Sequence, residues 1–471
     1  MRRATPRTLA LAVLSLSSSC IDRSAYACHD DVECNSAAGG ACEPLGVCSY
    51  PDDACDSGRR YGGYAGVLSH VCVEADGTTA VVTDTTTTAD PSVATTAVSD
   101  DAGGSSTSAT DTGCVDGCPI PGGTELWSLT FDGDVHGNDR LSSVITSAGG
   151  DIFAAGVYGS ATADALLVRV TPDGELVAQR VHDVEGGDDD LMALQQGPDG
   201  TIWTCGRGNS STGGLRAWLG QFDVQLTDDA PKSSVTIDHV VCRTLGIAGV
   251  GTWIAAGDDG DYGGGSWMYT FAHWDADGGN VTLTTEPVDD RWSASALTGD
   301  GTLLLAGVEA GQGIVTTSDG SMLGDNVLGD GAGARPQGLA AIGDTVVVGG
   351  FENTAGQADR WIGAFDTSGA PLWSWRATPP VAIGDEVESL AIDGTGAVIA
   401  VGFVADDVRR RWAMKLDPDG SELWSKTWPA AADALDAARD VTVLPDDGIV
   451  VVGEITTDAS AQDAWIARLA P

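Results

Sequence analysis

A short apolar strand that ends in glycine recurs along the chain from residue 123 onward. Each copy places several apolar residues directly before the glycine, as in DIFAAG, TVVVGG and AVIAVG. The glycines are 50, 51, 50, 43, 52 and 51 residues apart, at Gly156, Gly206, Gly257, Gly307, Gly350, Gly402 and Gly453. A period of this length predicts one supersecondary unit, repeated so that each copy buries its apolar face against the next.

Strands and turns account for each unit. In the copy after Asp385, the segments Glu386–Ile392 and Arg411–Leu416 alternate apolar and polar residues on either side of the apolar run Ala397–Gly402, and Glu422–Trp428 follows. The intervening DGTG and DPDG are typical of tight hairpin turns. Seven such units predict an all-β protein: a seven-bladed β-propeller of four-stranded antiparallel blades.

A tryptophan in the third strand is the second landmark of the repeat. It occurs in five units, at Trp218, Trp267, Trp361, Trp412 and Trp465. Large aromatic side chains in register favour packing positions between neighbouring blades over platforms for a ligand.

The two ends of the repeat region predict how the ring closes. After Gly453 only 18 residues remain, which is enough for a third strand but not for a fourth. Before the first complete unit, ELWSLTF (Glu125–Phe131) matches the fourth strands ELWSKTW and PLWSWRA. We therefore expect this N-terminal strand to complete the last blade and remove an open sheet edge, within a propeller that spans residues 123–471.

The units DAWIARLAP, RWAMKLDPDGSELWSKTW and RWIGAFDTSGAPLWSW resemble the bacterial β-propeller repeat family of exported proteins (SBBP-like repeats). The resemblance covers about 345 residues, and unit four, in which GIVTTSDG replaces the tryptophan strand, departs most from it. It implies the propeller fold and an exported protein. Members of the family have varied roles, so the resemblance implies no particular activity.

Residues 1–19 have the pattern of an export signal. Arg2, Arg3 and Arg7 precede the apolar run Leu9–Leu16, which is too short to span a bilayer. Small residues then lead to Cys20, which resembles the lipidated cysteine of bacterial lipoproteins, although Ser17 stands where leucine is usual. The resemblance implies a lipid anchor at Cys20 and, with Ile21 following, the outer membrane facing outward. An ordinary cleaved signal is the alternative.

Cysteines dominate residues 20–73, which we interpret as a lipid-anchored cysteine-rich module. Disulfides explain the module better than zinc, since there is no CxxC and only two histidines are near. Residues 74–122, rich in Thr, Ser, Ala, Asp and Gly, predict a disordered linker. In the propeller, a bond between two cysteines of adjacent units is favoured over two buried thiols. The predicted disulfide cysteines are Cys28, Cys34, Cys42, Cys48, Cys55, Cys72, Cys114, Cys118, Cys205 and Cys242.

The net charge excludes two classes of partner. With 24 basic and 68 acidic residues, the formal charge of the 471-residue chain is −44. Nucleic acids and anionic membranes are recognised by basic surfaces, so we expect no nucleic acid, and contact with a membrane only through the anchor. The charge favours cations, basic partners or simple solubility.

Four aspartates occupy the same place before the first strand of four units, at Asp139, Asp189, Asp385 and Asp436. They predict an acidic arc at the mouth of the propeller channel, where a divalent cation or a basic ligand would bind. Alternatively, each aspartate accepts backbone N–H bonds and fixes the link between its blades. A divalent cation that raises the melting temperature would favour the first interpretation.

No catalytic motif stands out. HExxH, GxSxG and a phosphate-binding glycine loop are all absent from the sequence. FDTSGAPLW and LDPDGSELW resemble the strand–turn–strand of quinone-dependent dehydrogenase propellers, whose calcium and base residues have no counterpart here. We expect a monomeric binding scaffold without a cofactor, which takes a protein, peptide or glycan on the face of the long loops. The alternatives are a quinone-dependent enzyme or a structural component of the envelope.

Overall fold

The computed structural model describes two parts of the chain. The first comprises residues 40–42, 48–51, 55, 57–61 and 73. The second runs from 120 to 471, except for residues 134–137, 160–162, 184–185, 198, 210–214, 228–230, 232, 239–240, 248–252, 259–267, 275–280, 288–290, 310–311, 318–322, 324–332, 355–356, 378–383, 406, 433 and 459–460. The two parts belong to separate compact units, residues 1–89 and 90–471.

The N-terminal unit contains a three-stranded antiparallel sheet. Its strands are β1 (Ala41–Cys42), β2 (Cys48–Pro51) and β3 (Arg59–Tyr61). The Arg59 guanidinium donates to the Ser49 hydroxyl and carbonyl oxygens, at 2.8 Å each. Cys55 is buried and disulfide-bonded. Most of the N-terminal predictions lie outside the described residues. These are the predicted signal, nearly all of the predicted linker, and every cysteine before the propeller except Cys42, Cys48 and Cys55.

The C-terminal unit is all-β and consists of seven antiparallel sheets. In chain order the strands are β4 (Glu125–Phe131), β5 (Arg140–Thr146), β6 (Ile152–Gly159), β7 (Ala163–Val170), β8 (Leu176–His182), β9 (Asp189–Gln196), β10 (Ile202–Asn209), β11 (Leu215–Phe222), β12 (Ser233–Asp238), β13 (Val241–Ile247), β14 (Trp253–Asp258), β15 (Met268–Trp274), β16 (Val281–Pro287), β17 (Arg291–Leu297), β18 (Leu303–Glu309), β19 (Gln312–Thr317), β20 (Arg335–Ile342), β21 (Thr345–Thr354), β22 (Gln357–Asp366), β23 (Pro371–Arg376), β24 (Glu386–Ile392), β25 (Val398–Ala405), β26 (Arg409–Leu416), β27 (Glu422–Thr427), β28 (Ala437–Val443), β29 (Ile449–Asp458) and β30 (Ala461–Leu469).

The sheets form a β-propeller. The first strands β5, β9, β13, β17, β20, β24 and β28 lie side by side in that order, and β28 returns to β5. Asp440 of β28 accepts a 2.8 Å hydrogen bond from the Val144 amide of β5 and a 2.6 Å bond from the Ser389 hydroxyl of β24. One partly buried carboxylate thus holds three successive first strands together.

Six of the sheets are four-stranded blades, so the prediction of seven four-stranded blades is wrong. The sector predicted for unit four has the three-stranded sheet β17–β18–β19 in the described residues. Its unit is the short one, with 43 residues between Gly307 and Gly350. The sequence after β19 is rich in glycine and aspartate, which have low strand propensity.

The N-terminal strand closes the propeller as predicted. β4 pairs antiparallel with β30, with Trp465 opposite Thr130 and Ile466 opposite Leu129. Leu129 and Phe131 are buried in a cluster with residues of β5, β6, β7, β29 and β30. Beyond β30, the Gly123 amide donates to the Ala470 carbonyl at 3.0 Å, which extends the seam to the end of the sheet.

The repeated glycines are required by a bulge in each first strand. In β5, Leu141 pairs with Gly156 and Ser143 with the preceding Ala155, so one residue of β5 is extra. The same irregularity recurs in every first strand. A Cβ atom at Gly156 or Gly402 would collide with the carbonyl oxygen of Arg140 or Glu386, respectively. Glycine is therefore required by a close backbone approach.

Four of the landmark tryptophans are packing positions, as predicted. Trp218, Trp361, Trp412 and Trp465 are each about 2% exposed. Trp412 stacks on Trp375 of the preceding blade. Trp465 likewise contacts Trp428 of its preceding blade, but in an edge-to-face arrangement. In the third unit the register places Thr270 opposite Gly257, and Trp267 lies outside the described residues.

A disulfide links two adjacent blades. Cys205 of β10 and Cys242 of β13 are bonded to each other and buried. Of the two interpretations left open by the sequence, the bond is therefore confirmed. Within the described residues, no helix has the length and apolar character needed to cross a membrane.

Deletion of residues 125–131 is expected to open the propeller. The outer edge of β30 would be unpaired, and the burial of Leu129 and Phe131, worth at least about 3 kcal/mol, would be lost. We expect a lower melting temperature and soluble aggregates in light scattering after gel filtration. A deletion of residues 101–107 is the length-matched control and should behave like the parent. Equal melting temperatures for both deletions would contradict the closure.

Candidate functional site

A cavity of about 390 Å³ lies at the centre of the propeller. It is at the end where the first strands begin, which is also the end of the links between blades and of the loops after the repeated glycines. Every first strand contributes to it. Its lining residues are Arg140, Ser142, Met192, Arg243, Ser293, Gln337, Glu386, Glu388, Arg409 and Arg439.

The bulges determine which side chains line the cavity. On β5 the lining residues Arg140 and Ser142 flank Leu141, the residue opposite the repeated glycine. On β24, Glu386 and Glu388 flank Val387 in the same way. The bulge in the first strand, which requires glycine in the second strand, thus also fixes which first-strand residues are directed to the channel.

Two of the lining arginines have carboxylate partners. Arg140 forms an ion pair with the buried Asp190 of the next blade. Arg439 donates from Nη2 to Glu454 at 2.6 Å and from Nη1 to Glu388 at 2.7 Å. Burial alone would lower the pKa of Arg439, but Glu388 and Glu454 raise it above its usual value. These arginines are therefore held in place by the protein.

Arg409 differs from these arginines. Its guanidinium carbon lies 3.8 Å from the centre of the Phe403 ring. Its Nε is buried and makes no hydrogen bond within the described part of the chain. Burial and the neighbouring Arg439 lower the pKa of Arg409, and Glu454, Glu388 and Glu386 oppose that shift. The surrounding carboxylates thus compensate its charge only in part.

The four predicted aspartates are buried between blades and do not line the cavity. Asp385 accepts a hydrogen bond from the Ala405 amide at 2.8 Å, and Asp436 accepts one from the Thr456 amide at 2.7 Å. Asp139 accepts from the amides of Gly133, at 2.9 Å, and Gly159. For these three, the second interpretation of the sequence describes the contacts: each fixes the start of its blade to the end of that blade's second strand.

Arginines from the preceding blade pair with two of these aspartates. The Arg360 Nε lies 3.4 Å from an Asp385 oxygen, and the guanidinium carbon lies 4.2 Å from the Trp412 ring centre. Arg411 repeats the arrangement one blade later, with Asp436 at 3.7 Å and Trp465 at 4.2 Å. Each arginine therefore stacks on the landmark tryptophan of the next blade while a carboxylate balances its charge.

At the other two aspartates the position of that arginine is taken by alanine, and acidic residues gather. Asp139 lies with Asp132 and Asp463, and Asp189 lies with Asp164 and Asp183; in each group, one carboxylate oxygen per residue lies within 4.8 Å of the others. Burial, opposed by the bonds from Gly159 and Gly133, raises the pKa of Asp139 to about 6. The divalent cation stays a prediction, and among the described residues these two groups are its candidate sites.

One of the two motifs that resemble quinone-dependent dehydrogenases, FDTSGAPLW, has a structural explanation at its tryptophan, which Trp127 of β4 shares. The Trp373 indole donates to the Pro418 carbonyl at 2.9 Å, in the DPDG turn of the next blade. Trp127 of β4 does the same to Pro172 in the TPDG turn, also at 2.9 Å. These tryptophans brace tight turns, where Gly174 and Gly420 have φ near +90°.

The comparisons with known proteins bring no family or activity to this architecture. No family model matches the chain, and no curated protein matches it. The strand pairing makes the chain a β-propeller protein.

Among solved structures, U3-55K has 12% identity and a TM-score of 0.49, with 74% of this chain and 99% of that one covered. A catalytically inactive virginiamycin B lyase from Staphylococcus aureus with quinupristin has 10% identity and a TM-score of 0.43, covering 72% and 98%. Chaetomium thermophilum Sqt1 bound to the N-terminus of ribosomal protein L10 has 15% identity and a TM-score of 0.41, covering 73% and 98%. With TM-scores below 0.5, these structures carry no argument about what this chain binds.

Sequence reasoning missed the arginines of the cavity. Arg140 precedes the residue opposite the repeated glycine, whereas Arg243 and Arg439 follow it. The cavity arginines therefore do not recur at one position of the repeat, and an alignment of the units does not reveal them. The one available signal was the run VRRRW at 408–412 in a chain with only 24 basic residues.

Asp139→Asn should change how stability depends on pH. A folded-state pKa of about 6, against the ordinary aspartate value of 3.8, means that the folded chain binds the proton more tightly than the unfolded chain. Its contribution is therefore fully present below about pH 4 and is lost as the pH rises through 6; it amounts to at most about 3 kcal/mol. Urea unfolding between pH 4 and 7.5 should show a smaller loss of stability with rising pH in the variant. The exposed Asp344→Asn serves as the control, and identical pH profiles for Asp139→Asn and the parent would contradict the assignment.

Proposed function

We propose that the propeller is a binding protein that receives its ligand in the central cavity, at the long-loop end of the channel. The observation that supports this is the cavity itself, which is lined from every first strand and contains four arginines in a chain of net charge −44. Its volume of about 390 Å³ is in the range of small-molecule sites. A protein, peptide or glycan bound on the long-loop face would insert one group into it.

The rigidity of the scaffold also favours binding. The lining residues are on strands rather than loops, and ion pairs within and between blades hold Arg140 and Arg439. A site formed in this way needs little ordering when a ligand arrives, so less of the interaction energy is lost. Residues in several long loops lie outside the described part of the chain, including 210–214 and 259–267, so the proposal does not depend on them.

Export and attachment to the outer membrane through Cys20 belong to the same proposal, on the basis of the signal-like residues 1–19. Cys20→Ser should move the chain from the membrane fraction to the soluble fraction of its cells. Equal membrane association of both forms would contradict the anchor.

A variant with a filled cavity tests the binding function. Ser293→Trp places an indole in the cavity, whereas Ser374→Trp adds the same group to the exposed outer strand β23. The full chain and both variants are incubated with a cell and medium extract, desalted and examined by native mass spectrometry. Parent and Ser374→Trp should retain a bound mass that Ser293→Trp loses. The same retained masses in all three, or none in the parent, would contradict the proposal.

A further inference from the structure

We propose that Arg409 receives a carboxylate group of the ligand in the central cavity. The inference rests on the proposed binding function and names the chemistry of the group that enters. Its starting point is a comparison of Arg409 with two other stacked arginines of the same propeller.

Arg360, Arg411 and Arg409 each lie over an aromatic ring, at 4.2, 4.2 and 3.8 Å from its centre. Stacking occupies the face of a guanidinium and leaves its in-plane N–H groups available for an acceptor. Asp385 and Asp436 supply a carboxylate to Arg360 and Arg411. For Arg409, no described carboxylate lies within ion-pair distance, and the side chain lines the cavity instead.

The position of Arg409 indicates that the missing acceptor comes from a ligand. Its buried Nε has no hydrogen-bond partner within the described residues, which is also true of Arg360 and Arg411, but those two have a carboxylate within ion-pair distance. A buried donor without an acceptor costs free energy until one arrives. Of the nearby carboxylates, Glu388 on the lining accepts from Arg439, and Asp190, which lies outside the lining, pairs with Arg140. The cavity offers the space in which an outside group would meet the guanidinium.

The surrounding charges favour a carboxylate over a phosphate. Glu386 and Glu388 also line the cavity and would repel a doubly charged anion. A single negative charge would balance the Arg409 guanidinium, which has no ion pair with a described carboxylate, and the planar fork of arginine matches the two oxygens of a carboxylate. Acidic sugars and acidic peptide groups share this chemistry, and the experiment separates them.

The experiment uses the full chain and pairs of probes that differ in charge alone. Glucuronate is compared with its uncharged amide, and N-acetylglutamate α-amide, which has a single carboxylate, with the uncharged N-acetylglutamine α-amide, by calorimetry at constant ionic strength. We expect the acidic member of at least one pair to bind and its neutral twin to bind at least tenfold more weakly. The pair that responds identifies the sugar or the peptide as the source, and inorganic phosphate is expected to bind more weakly than that acid.

The variants are Arg409→Gln, Arg409→Lys and the charge-matched control Arg410→Gln. Arg410 is the next residue on β26, does not line the cavity and pairs with Asp407 near the surface. Loss of a charge-assisted hydrogen bond should raise the Kd for the acid about ten- to a hundredfold in Arg409→Gln. Arg409→Lys should fall between this variant and the parent, and Arg410→Gln should stay within about twofold of the parent.

Equal affinity of Arg409→Gln and the parent, or no acid that binds better than its neutral twin, would overturn the assignment. Circular dichroism and the melting temperature verify that Arg409→Gln is folded, and the Lys variant provides a second test if it is not. A bound mass that Ser293→Trp loses but Arg409→Gln keeps would leave the binding function standing and remove only the carboxylate. Phosphate that binds more tightly than every carboxylate would also contradict the proposal.

Discussion

The propeller depends on the close approach of two backbones within each blade. The bulged first strand brings a carbonyl oxygen to the place where the second strand would otherwise have a Cβ atom, so glycine recurs there. The bulge also decides which residues face the channel, because the lining side chains flank the residue opposite that glycine. One steric requirement thus sets the period of the sequence, the pairing of the inner strands and the composition of the cavity.

The blades share this backbone interaction but differ in how neighbouring blades are joined. Where Arg360 and Arg411 stack on the next tryptophan, a buried aspartate meets a cation. Where the arginine is absent, at Asp139 and Asp189, carboxylates crowd together. A buried carboxylate without a cation is costly, and at Asp139 backbone N–H groups offset part of that cost. The ring is therefore uniform in its backbone but not in its electrostatics.

The sequence was sufficient for the features that repeat. The glycines, the turns and the match between Glu125–Phe131 and Glu422–Trp428 predicted the blades and their closure, because steric and turn requirements recur in every copy. It overestimated unit four, where the period suggested four strands and the described residues form three. It also placed Asp385 and Asp436 at the channel mouth, although each stands two residues before a buried residue, Val387 or Ala438, and is itself buried. Arg409 was missed, since its stacking on Phe403 and the absence of a described carboxylate within ion-pair distance depend on the three-dimensional arrangement.

The pairing of β4 with β30 brings Gly123 and Ala470 within one hydrogen bond of each other. In a ring closed in this way, the fold does not require that the chain begin at any particular blade. A circular permutant could begin at a tight turn such as Asp446–Gly448, if a short peptide joined the two ends of the propeller near Gly123 and Ala470. The blades themselves have no first or last member; only the backbone seam does.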